Sequence, residues 1–285
     1  MVAITLDGEL AASELKENLK HRIAELAKSS VVPGLGTILV GDDGPSKNYI
    51  AMKHRDCKEL GMHSQEITLP AKTSQQEIVK AVGTLNHDPQ IHAFIIQYPF
   101  PSGLDYEDAL LRVLPNKDAD GLHPVNLGKL VQGISAPLAC TPAGIQLLLE
   151  RFEVPIQGKH VVIVGRGLTI GRPLANLLSL KRPKANAVVT VVHTGAGDIS
   201  PYTRQADILI AAAGSPGMIT ADMVKPGAAV VAAGVSFDGK KLISDVSDEV
   251  ETTAGWLSPR IGGVGPMTRA LLMQNTVAAA ELTVL

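Results

Sequence analysis

Two residues spaced four apart, Tyr49 and Lys53, are the first candidates for chemistry in this sequence. In the stretch GPSKNYIAMKHRDCKELGM (44–62), helical spacing forms one apolar stripe, which consists of Tyr49, Ile50, Met52, Cys57 and Leu60. Lys53 projects from the middle of that stripe, one turn after Tyr49. Because apolar surroundings disfavour the charged form of an amine, Lys53 could serve as a base. A stem that covers apolar surface while its head reaches water is the more usual explanation of a lone lysine on such a stripe.

Three further polar side chains stand in loops of the same half of the chain. Gln97 opens the loop QYPFPSG, and Asp118 and Asp120 belong to the loop NKDADG. Ligands of open α/β sheets bind beyond the carboxyl ends of strands, where Lys53 and Gln97 are expected. Taken singly, Gln97 could instead cap a strand, and the two aspartates could form turns.

A glycine-rich turn occupies the second half of the chain. In VVIVGRGLTIGRPLANLL (161–178), a strand runs into Gly165, Gly167 and Gly171 and then into a helix. This G-x-G-x-x-x-G spacing is one residue longer than the usual dinucleotide fingerprint. Glycines let the backbone approach a pyrophosphate, and the helix N-terminus favours its negative charge. The turn therefore predicts nucleotide binding, although a tight strand-to-helix turn without a ligand is the alternative.

The choice of dinucleotide depends on the end of the next strand. NAD-binding versions usually place an acid there to hold the ribose hydroxyls. Here that strand ends with His193 and Thr194, and no acid follows until Asp198. Arg166 lies inside the glycine turn, where its guanidinium suits a 2′-phosphate. These features favour NADP over NAD.

Runs of apolar residues alternate with helical periods along the chain. Continuous apolar runs separated by helices indicate parallel strands that are covered on both faces. The predicted strands are 35–40, 91–97, 160–165, 187–193, 207–213 and 228–234. The predicted helices include 46–61 and 76–85, and the tail from Met267 is strongly helical. The fold class is therefore α/β.

A segment rich in Pro, Gly and Asn, residues 115–142, separates the two alternations. It predicts an N-terminal α/β domain over 1–140 and a Rossmann-type, doubly wound dinucleotide-binding domain over 141–266, with the active-site cleft between them. The helix that follows the segment starts at TPAG, where Thr141 suits the N-cap. We expect the C-terminal helix, 267–285, to pack back on the first domain.

Composition excludes several classes of function. The 285 residues carry a formal net charge of -2, which gives no broad basic field for nucleic acid. The two cysteines, Cys57 and Cys140, cannot form a metal cluster alone and suit a reduced cytoplasmic setting. No apolar run approaches the roughly 18 residues of a membrane helix. We therefore expect a cytoplasmic protein that binds neither nucleic acid nor membrane.

Six motifs together resemble a known family. They are VGDDGPSKNYIAMK, QYPFP, KDADGLHPVNLGKL, CTPAG, VVIVGRGLTIGRP and GGVGPMTRALLMQNT. Their order and spacing resemble the bifunctional methylenetetrahydrofolate dehydrogenase/methenyltetrahydrofolate cyclohydrolase family over essentially the whole chain. The resemblance implies NADP-dependent oxidation of 5,10-methylenetetrahydrofolate to the 5,10-methenyl form, followed by hydrolysis to 10-formyltetrahydrofolate. It also implies that the first domain binds folate and that the protein is a homodimer joined through the cofactor domains.

The resemblance assigns roles residue by residue. It implies a catalytic Lys53 whose amine is held by the amide of Gln97, with Tyr49 lining the site and ordering protons. It implies that Asp120 contacts the pterin end of folate. Further substrate contacts are implied for Tyr49, Gly262, Gly263 and Pro266. The implied cofactor contacts are Gly165, Arg166, Gly167, Thr194 and Val235. No metal is implied.

Several positions depart from the family pattern. Tyr98 and Phe100 replace two leucines of the common Q-L-P-L-P loop and are expected to reshape the pocket wall. Gly167 stands where serine is common, which removes a hydroxyl from the cofactor side. Ala232 replaces an acid of a common D-V-G, and Ile261 replaces a usual proline before GGVGP. None of these changes removes a residue that the chemistry requires.

Two other functions fit parts of the sequence. A shikimate-dehydrogenase-like NADP oxidoreductase also pairs a first-domain lysine with an acid, and it predicts no hydrolase activity. A nucleotide-sensing binding module, in which Lys53 only covers apolar surface, predicts cofactor binding without turnover.

Overall fold

The computed structural model describes residues 3–238 and 241–284. Its helices are α1 (Gly8–Lys28), α2 (Gly44–Leu60), α3 (Gln75–His87), α4 (Tyr106–Leu111), α5 (Pro124–Gln132), α6 (Cys140–Arg151), α7 (Gly171–Ser179), α8 (Ser200–Thr203) and α9 (Val264–Glu281). Its strands are β1 (Ile4–Thr5), β2 (Gly34–Val40), β3 (His63–Leu69), β4 (Ala93–Ile96), β5 (His160–Val164), β6 (Val188–Val192), β7 (Ile208–Ala211), β8 (Ala229–Ala232), β9 (Val235–Asp238), β10 (Lys241–Ser244) and β11 (Trp256–Leu257). This is the α/β fold that the sequence predicts.

The chain divides into two compact units. The three-stranded unit comprises Glu14–Cys140 and the chain from Arg269 onward, and the six-stranded unit comprises Thr141–Thr268 and the chain up to Ser13. The N-terminal segment therefore departs from the predicted 1–140 domain. The physical reason is that β1 pairs in parallel with β11, so the first strand extends the sheet of the other unit. The chain leaves that unit at Arg269, slightly later than the predicted boundary of 266.

The three-stranded unit is built on a parallel sheet in the order β3-β2-β4. All seven residues of β2 are buried, because helices cover both faces of the central strand. The core on one face includes Ile38, Val82 and Phe94. The sequence predicted β2 and β4 but not β3, whose residues HSQEITL are half-buried or exposed along its length.

The six-stranded unit has a sheet in the order β1-β11-β8-β7-β5-β6, with every neighbouring pair parallel. The four strands predicted in this region are present as β5, β6, β7 and β8. The buried faces of β5, β7 and β8 form one core with β6 at the edge. The antiparallel hairpin β9–β10 follows β8 directly and was not predicted.

Local sequence explains the bounds of α2. Asp43 caps its first turn by accepting a hydrogen bond from the Ser46 N–H (2.9 Å), and Gly61 ends it in the left-handed conformation, with φ of 71°. The prediction for its apolar stripe was wrong at Tyr49, whose side chain is 38% exposed. The buried face includes Lys53 and also Asp56. The Asp56 carboxylate forms ion pairs with the Lys16 Nζ (2.7 Å) and the Arg269 Nε (2.8 Å).

The prediction that Thr141 caps a helix was also wrong. Helix α6 begins at Cys140, so Thr141 lies inside its first turn. Its hydroxyl instead forms a hydrogen bond of 3.0 Å with the hydroxyl of Thr268. Among the described residues, no helix combines the length and apolarity needed to cross a bilayer.

Candidate active site

Lys53 and Gln97 form a direct contact at the carboxyl ends of β2 and β4. Lys53 is only 7% exposed, and its Nζ donates a hydrogen bond of 3.0 Å to the Gln97 Oε1. The Gln97 backbone N–H continues the sheet ladder to the Ile38 carbonyl (2.9 Å), which fixes the position of the residue. The Gln97 Nε2 donates to the Tyr98 carbonyl (2.7 Å), so its amide oxygen is aimed at the amine.

Tyr49 lies one helical turn before Lys53 and extends the site toward solvent. The Lys53 Nζ is 6.0 Å from the centroid of the Tyr49 ring. This distance permits a cation–π attraction and lets the ring cover one side of the amine. The exposed ring is thus available to contact a bound molecule beside a buried base.

The two aspartates of the KDADG loop have different surroundings. Asp118 is buried, and its carboxylate accepts from the N–H groups of Gly121 (3.0 Å) and His123 (2.7 Å) and from the Asn126 amide (2.9 Å). Asp118 is therefore the turn former. The half-buried Asp120 side chain accepts no hydrogen bond in the part of the chain that the structure describes. Its carboxylate is left available for a ligand.

Burial and mutual attraction compete at Lys53 and Asp120. Burial lowers the pKa of Lys53, and the nearby Asp120 carboxylate opposes that shift. Burial raises the pKa of Asp120, and Lys53 opposes that shift in turn. The Cys140 thiol is buried beside them, and burial raises its pKa. The amine is thereby brought closer to the neutral form that a base requires.

The glycine turn of the six-stranded unit has a backbone conformation that lets a phosphate approach closely. Gly165 has φ of +118°, and a Cβ there would lie 2.2 Å from the Ala212 carbonyl oxygen. A Cβ at Gly171 would lie 2.2 Å from the Gly165 carbonyl oxygen, whereas Gly167 faces open space. No side chain of the described residues caps the first turn of α7. Within that turn the Arg172 N–H donates to the Gly167 carbonyl (3.1 Å), so among the described residues the Gly171 N–H is the group left for an anion.

Arg166 and His193 converge at the ends of β5 and β6. The Arg166 Nη1 lies 3.3 Å from the His193 Nε2. The His193 Nδ1 accepts a hydrogen bond from the Gly195 N–H (3.1 Å), so a neutral ring carries its proton on Nε2. Two donors therefore face each other, an arrangement that an anion between them would satisfy. Thr194 and Val235, the other predicted cofactor contacts, are both exposed at strand ends of this unit.

The predicted substrate contacts Gly262, Gly263 and Pro266 lie in the six-stranded unit, at the start of α9. The Gly262 carbonyl accepts hydrogen bonds from the N–H groups of Gly8 (2.7 Å) and Glu9 (3.2 Å). A Cβ at Gly8 would lie 1.7 Å from the Gly263 carbonyl oxygen, so this loop is held tightly against the start of α1. The structure groups Tyr49, Lys53, Gln97 and Asp120 in one unit and these three residues in the other.

One buried acid near the cofactor turn was missed by the sequence analysis. Asp245 is fully buried, and its Oδ2 accepts from the N–H groups of Ala213 (2.7 Å) and Gly214 (2.9 Å), in the loop after β7. Its own N–H donates to the Gly234 carbonyl (3.1 Å), after β8. The only local signal was an acid after a short apolar run in KLISDV, which does not identify partners 11 to 32 residues away.

Comparison with protein families gives two matches that together span nearly the whole chain. Residues 6–120 match the tetrahydrofolate dehydrogenase/cyclohydrolase catalytic domain, and residues 139–284 match the tetrahydrofolate dehydrogenase/cyclohydrolase NAD(P)-binding domain. The bifunctional protein FolD of Syntrophotalea carbinolica is 52% identical over 281 residues, which cover 99% of this chain and 97% of that protein.

Solved structures show the same similarity. The bifunctional enzyme FolD from Campylobacter jejuni has a TM-score of 0.94 at 38% identity, with 99% of each chain covered. The Trypanosoma brucei enzyme, solved with NADP cofactor and inhibitor, has a TM-score of 0.93 at 34% identity, covering 100% of this chain and 99% of that one. Shikimate 5-dehydrogenase from Thermus thermophilus covers 87% of this chain and 99% of its own at a TM-score of 0.52 and 14% identity. That resemblance extends to the fold alone.

Proposed function

The chain belongs to the tetrahydrofolate dehydrogenase/cyclohydrolase family, and we propose that it catalyses both reactions in sequence. The first is the oxidation of 5,10-methylenetetrahydrofolate by NADP, which gives the 5,10-methenyl cation and NADPH. The second is the hydrolysis of that cation to 10-formyltetrahydrofolate. The observation that carries the proposal is a buried lysine hydrogen-bonded to Gln97 beside the unpartnered carboxylate of Asp120.

We assign folate to the three-stranded unit and NADP to the six-stranded unit. Asp120 accepts hydrogen bonds from the pterin, and Tyr49 contacts the substrate at the solvent side of Lys53. Gly165, Arg166 and Gly167 hold the cofactor phosphates, together with Thr194, and Val235 contacts the cofactor at the start of β9. The uncapped helix N-terminus and the paired donors Arg166 and His193 support this assignment.

The oxidation requires mainly positioning. NADP, when bound, supplies the acceptor for a hydride. The two nitrogens that flank the reacting carbon donate electron density as the hydride leaves, so the protein need not move a proton. The residues of this chain therefore act by holding the substrate: Asp120 fixes the pterin, and Tyr49 and Gln97 limit its movement near Lys53.

The hydrolysis requires proton transfer. Water adds to the methenyl carbon, and its oxygen loses both protons as the formyl carbonyl forms. N5 gains one proton as its bond to that carbon breaks, and the other proton is released. An ordinary lysine, with a pKa of about 10.4, is mostly charged near neutral pH and a poor base. Burial lowers the pKa of Lys53, and a cationic substrate favours the neutral amine further. Gln97 orients that amine, and Tyr49 orders the water.

The remaining assignments concern the setting of the enzyme. We place it in the cytoplasm, which the free and buried thiols of Cys57 and Cys140 support. We assign a homodimer joined through the six-stranded units, where β6 is an edge strand with exposed valines. Of the rival functions, a shikimate-dehydrogenase-like enzyme shares only the fold.

Substituting Lys53 by Met tests the mechanism. Met keeps an apolar stem of similar length and removes the amine. We expect cyclohydrolase activity to fall at least about a hundredfold, the lower range for a general base, and dehydrogenase activity to persist in part. Methenyltetrahydrofolate should then be released as a product. Lys47→Met, at an exposed position of the same helix, is the matched control. By contrast, Asp120→Ala should reduce both activities, because both use the same bound folate.

The pH profile gives a second readout of the same variant. The neutral amine is the active form, so the cyclohydrolase rate should rise with pH as Lys53 loses its proton. Because burial lowers the pKa of Lys53, this rise should be centred below about 10.4. It should be absent from Lys53→Met. Full hydrolysis by a folded Lys53→Met protein would exclude Lys53 as the base.

A further inference from the structure

A cavity of about 500 Å³ lies in the three-stranded unit between α9 and the loops that precede and follow α5. Its apolar wall consists of Pro137, Leu138, Leu271, Ala278, Ala279 and Leu282. The volume lies within the range of about 300–1,000 Å³ that is typical of small-molecule sites. None of the residues assigned to folate, NADP or proton transfer lines this cavity.

Two buried amides belong to the lining, and they differ in whether their oxygens can be reached from the cavity. Asn126 is 1% exposed; its Nδ2 donates to the Pro115 carbonyl (2.8 Å) and to Asp118, and its buried Oδ1 has no hydrogen bond. Asn275 is 9% exposed, and its Nδ2 donates to the carbonyls of Ala119 (2.9 Å) and Leu138 (3.0 Å). Its Oδ1 accepts no hydrogen bond from the described residues. Because the Asn126 oxygen has almost no accessible surface, the lining offers one acceptor that a donor in the cavity can reach, the Asn275 Oδ1.

The charged groups in the lining leave one positive charge uncompensated. Arg22 is held by Glu281 through two hydrogen bonds of 2.8 and 2.7 Å, so this pair is neutral overall. Lys129 also lines the cavity and has no ion pair or hydrogen bond within residues 3–238 and 241–284. An anionic group on a bound molecule would therefore be attracted to Lys129.

We propose that this cavity is a regulatory site for a small aromatic carboxylic acid that carries an N–H donor. The apolar wall takes the ring, an unpartnered amide oxygen accepts from the N–H, and Lys129 pairs with the carboxylate. The same two amides hold Asp118 and Ala119, the residues directly before Asp120. A donor on an amide oxygen polarises the amide and strengthens these bonds, so an occupied site holds the Asp120 loop more firmly.

Three probes test the chemistry of the site. Indole-3-acetate has the ring, the N–H and the carboxylate; 1-naphthaleneacetate lacks the N–H, and 3-methylindole lacks the carboxylate. By calorimetry we expect saturable one-to-one binding of indole-3-acetate and about tenfold weaker binding of each analogue, the effect of one lost polar contact. The absence of saturable binding by indole-3-acetate, or equal binding of all three, would overturn the site.

Two variants locate the binding. Ala279→Leu fills the cavity and should abolish binding of indole-3-acetate, while circular dichroism and both basal activities remain unchanged. Lys129→Met should remove the advantage of indole-3-acetate over 3-methylindole, whereas Lys80→Met, at an exposed position on α3, should preserve it. Retained binding by Ala279→Leu would place the probe elsewhere and overturn the assignment. Should Ala279→Leu not fold, the pair of lysine variants decides alone.

The regulatory effect rests on the proposed function and is read separately. At saturating indole-3-acetate we expect the KM for methylenetetrahydrofolate to fall about fivefold or more, and the KM for NADP to stay constant. An unchanged folate KM, with binding established by calorimetry, would overturn the regulatory role. Failure of the proposed function would instead appear as a lack of turnover without any probe, so the two failures are distinguishable.

Discussion

Arg166 and His193 present two nitrogen donors to the same place at the ends of β5 and β6. A guanidinium cannot accept a hydrogen bond, and the neutral His193 ring has its acceptor nitrogen occupied by Gly195. We propose that the 2′-phosphate of NADP satisfies both donors, whereas the 2′-hydroxyl of NAD is uncharged. At the scale of single residues, the proposed contact would give a physical basis for cofactor choice.

Arg166→Ala should therefore change cofactor preference. A charge-assisted hydrogen bond contributes about 1.5–3 kcal/mol, so the KM for NADP should rise roughly tenfold or more. NAD should be used nearly as before. Steady-state kinetics with both cofactors measure the change, and Arg172→Ala, one residue into α7, is the control. Equal losses for NAD and NADP would mean that Arg166 serves the shared pyrophosphate or the fold.

A residue can be identified from the sequence when it breaks a local pattern. A residue whose role depends on hydrogen-bond partners elsewhere in a folded loop cannot be identified in this way. Lys53 was found because it interrupts an apolar stripe, and its buried position beside Gln97 agrees with that reasoning. The sequence offered a turn-forming role for both Asp118 and Asp120 and could not distinguish them, because the partners of Asp118 are defined only once the loop is folded.

At the scale of elements, the strands that can be predicted from the sequence are those buried along their whole length. β2, β5, β7 and β8 are apolar runs because both faces of each are covered, and the sequence identifies them. β3 lies at a sheet edge with polar residues on its length, and the two-residue strands β1 and β11 are defined only by their pairing. That pairing joins residues about 250 positions apart, for which local pattern carries no signal.

Asp245 joins the loops that follow β7 and β8, and we expect its substitution to affect one of the two activities more than the other. It holds the loop after β7 through two N–H groups and is bound to Gly234 after β8. A Cβ at Gly234 would lie 1.8 Å from its Oδ2, so this contact depends on glycine. Both loops lie at the carboxyl ends of strands, where dinucleotides bind in such sheets.

Asp245→Asn should impair the dehydrogenase and spare the cyclohydrolase, which needs no NADP. An amide oxygen at the Oδ2 position can keep both hydrogen bonds to the loop after β7. The amide NH2 group is then buried at the position of Oδ1, which has no hydrogen-bond partner, and this destabilises the loop. We expect the KM for NADP to rise about tenfold, with hydrolysis of methenyltetrahydrofolate retained. Asp222→Asn, at an exposed position of the same unit, is the control. Equal loss of both activities would indicate a general effect on folding.

At the scale of the whole molecule, neither compact unit is a single continuous stretch of the chain. The three-stranded unit takes its last helix from the C-terminus, and the six-stranded unit takes its first strand from the N-terminus. Within the three-stranded unit, Arg269 and Asn275 of α9 bind Asp56 and Ala119, so the tail supports the elements that carry Lys53 and Asp120. A truncation of the tail would therefore affect residues that are distant in sequence.

We propose that the homodimer interface is one edge of the six-stranded sheet. Among the described residues β6 pairs with β5 alone, and Val188 and Val191 on it are 62% and 36% exposed. An open strand edge with apolar side chains favours pairing with a second copy of the chain. We therefore expect Val188→Lys/Val191→Lys to shift the protein from dimer to monomer in sedimentation equilibrium, because like charges would face each other across a two-fold axis. Val32→Lys, equally exposed in the three-stranded unit, should stay dimeric. A double variant with unchanged mass, or a monomeric parent protein, would show that β6 is not the interface.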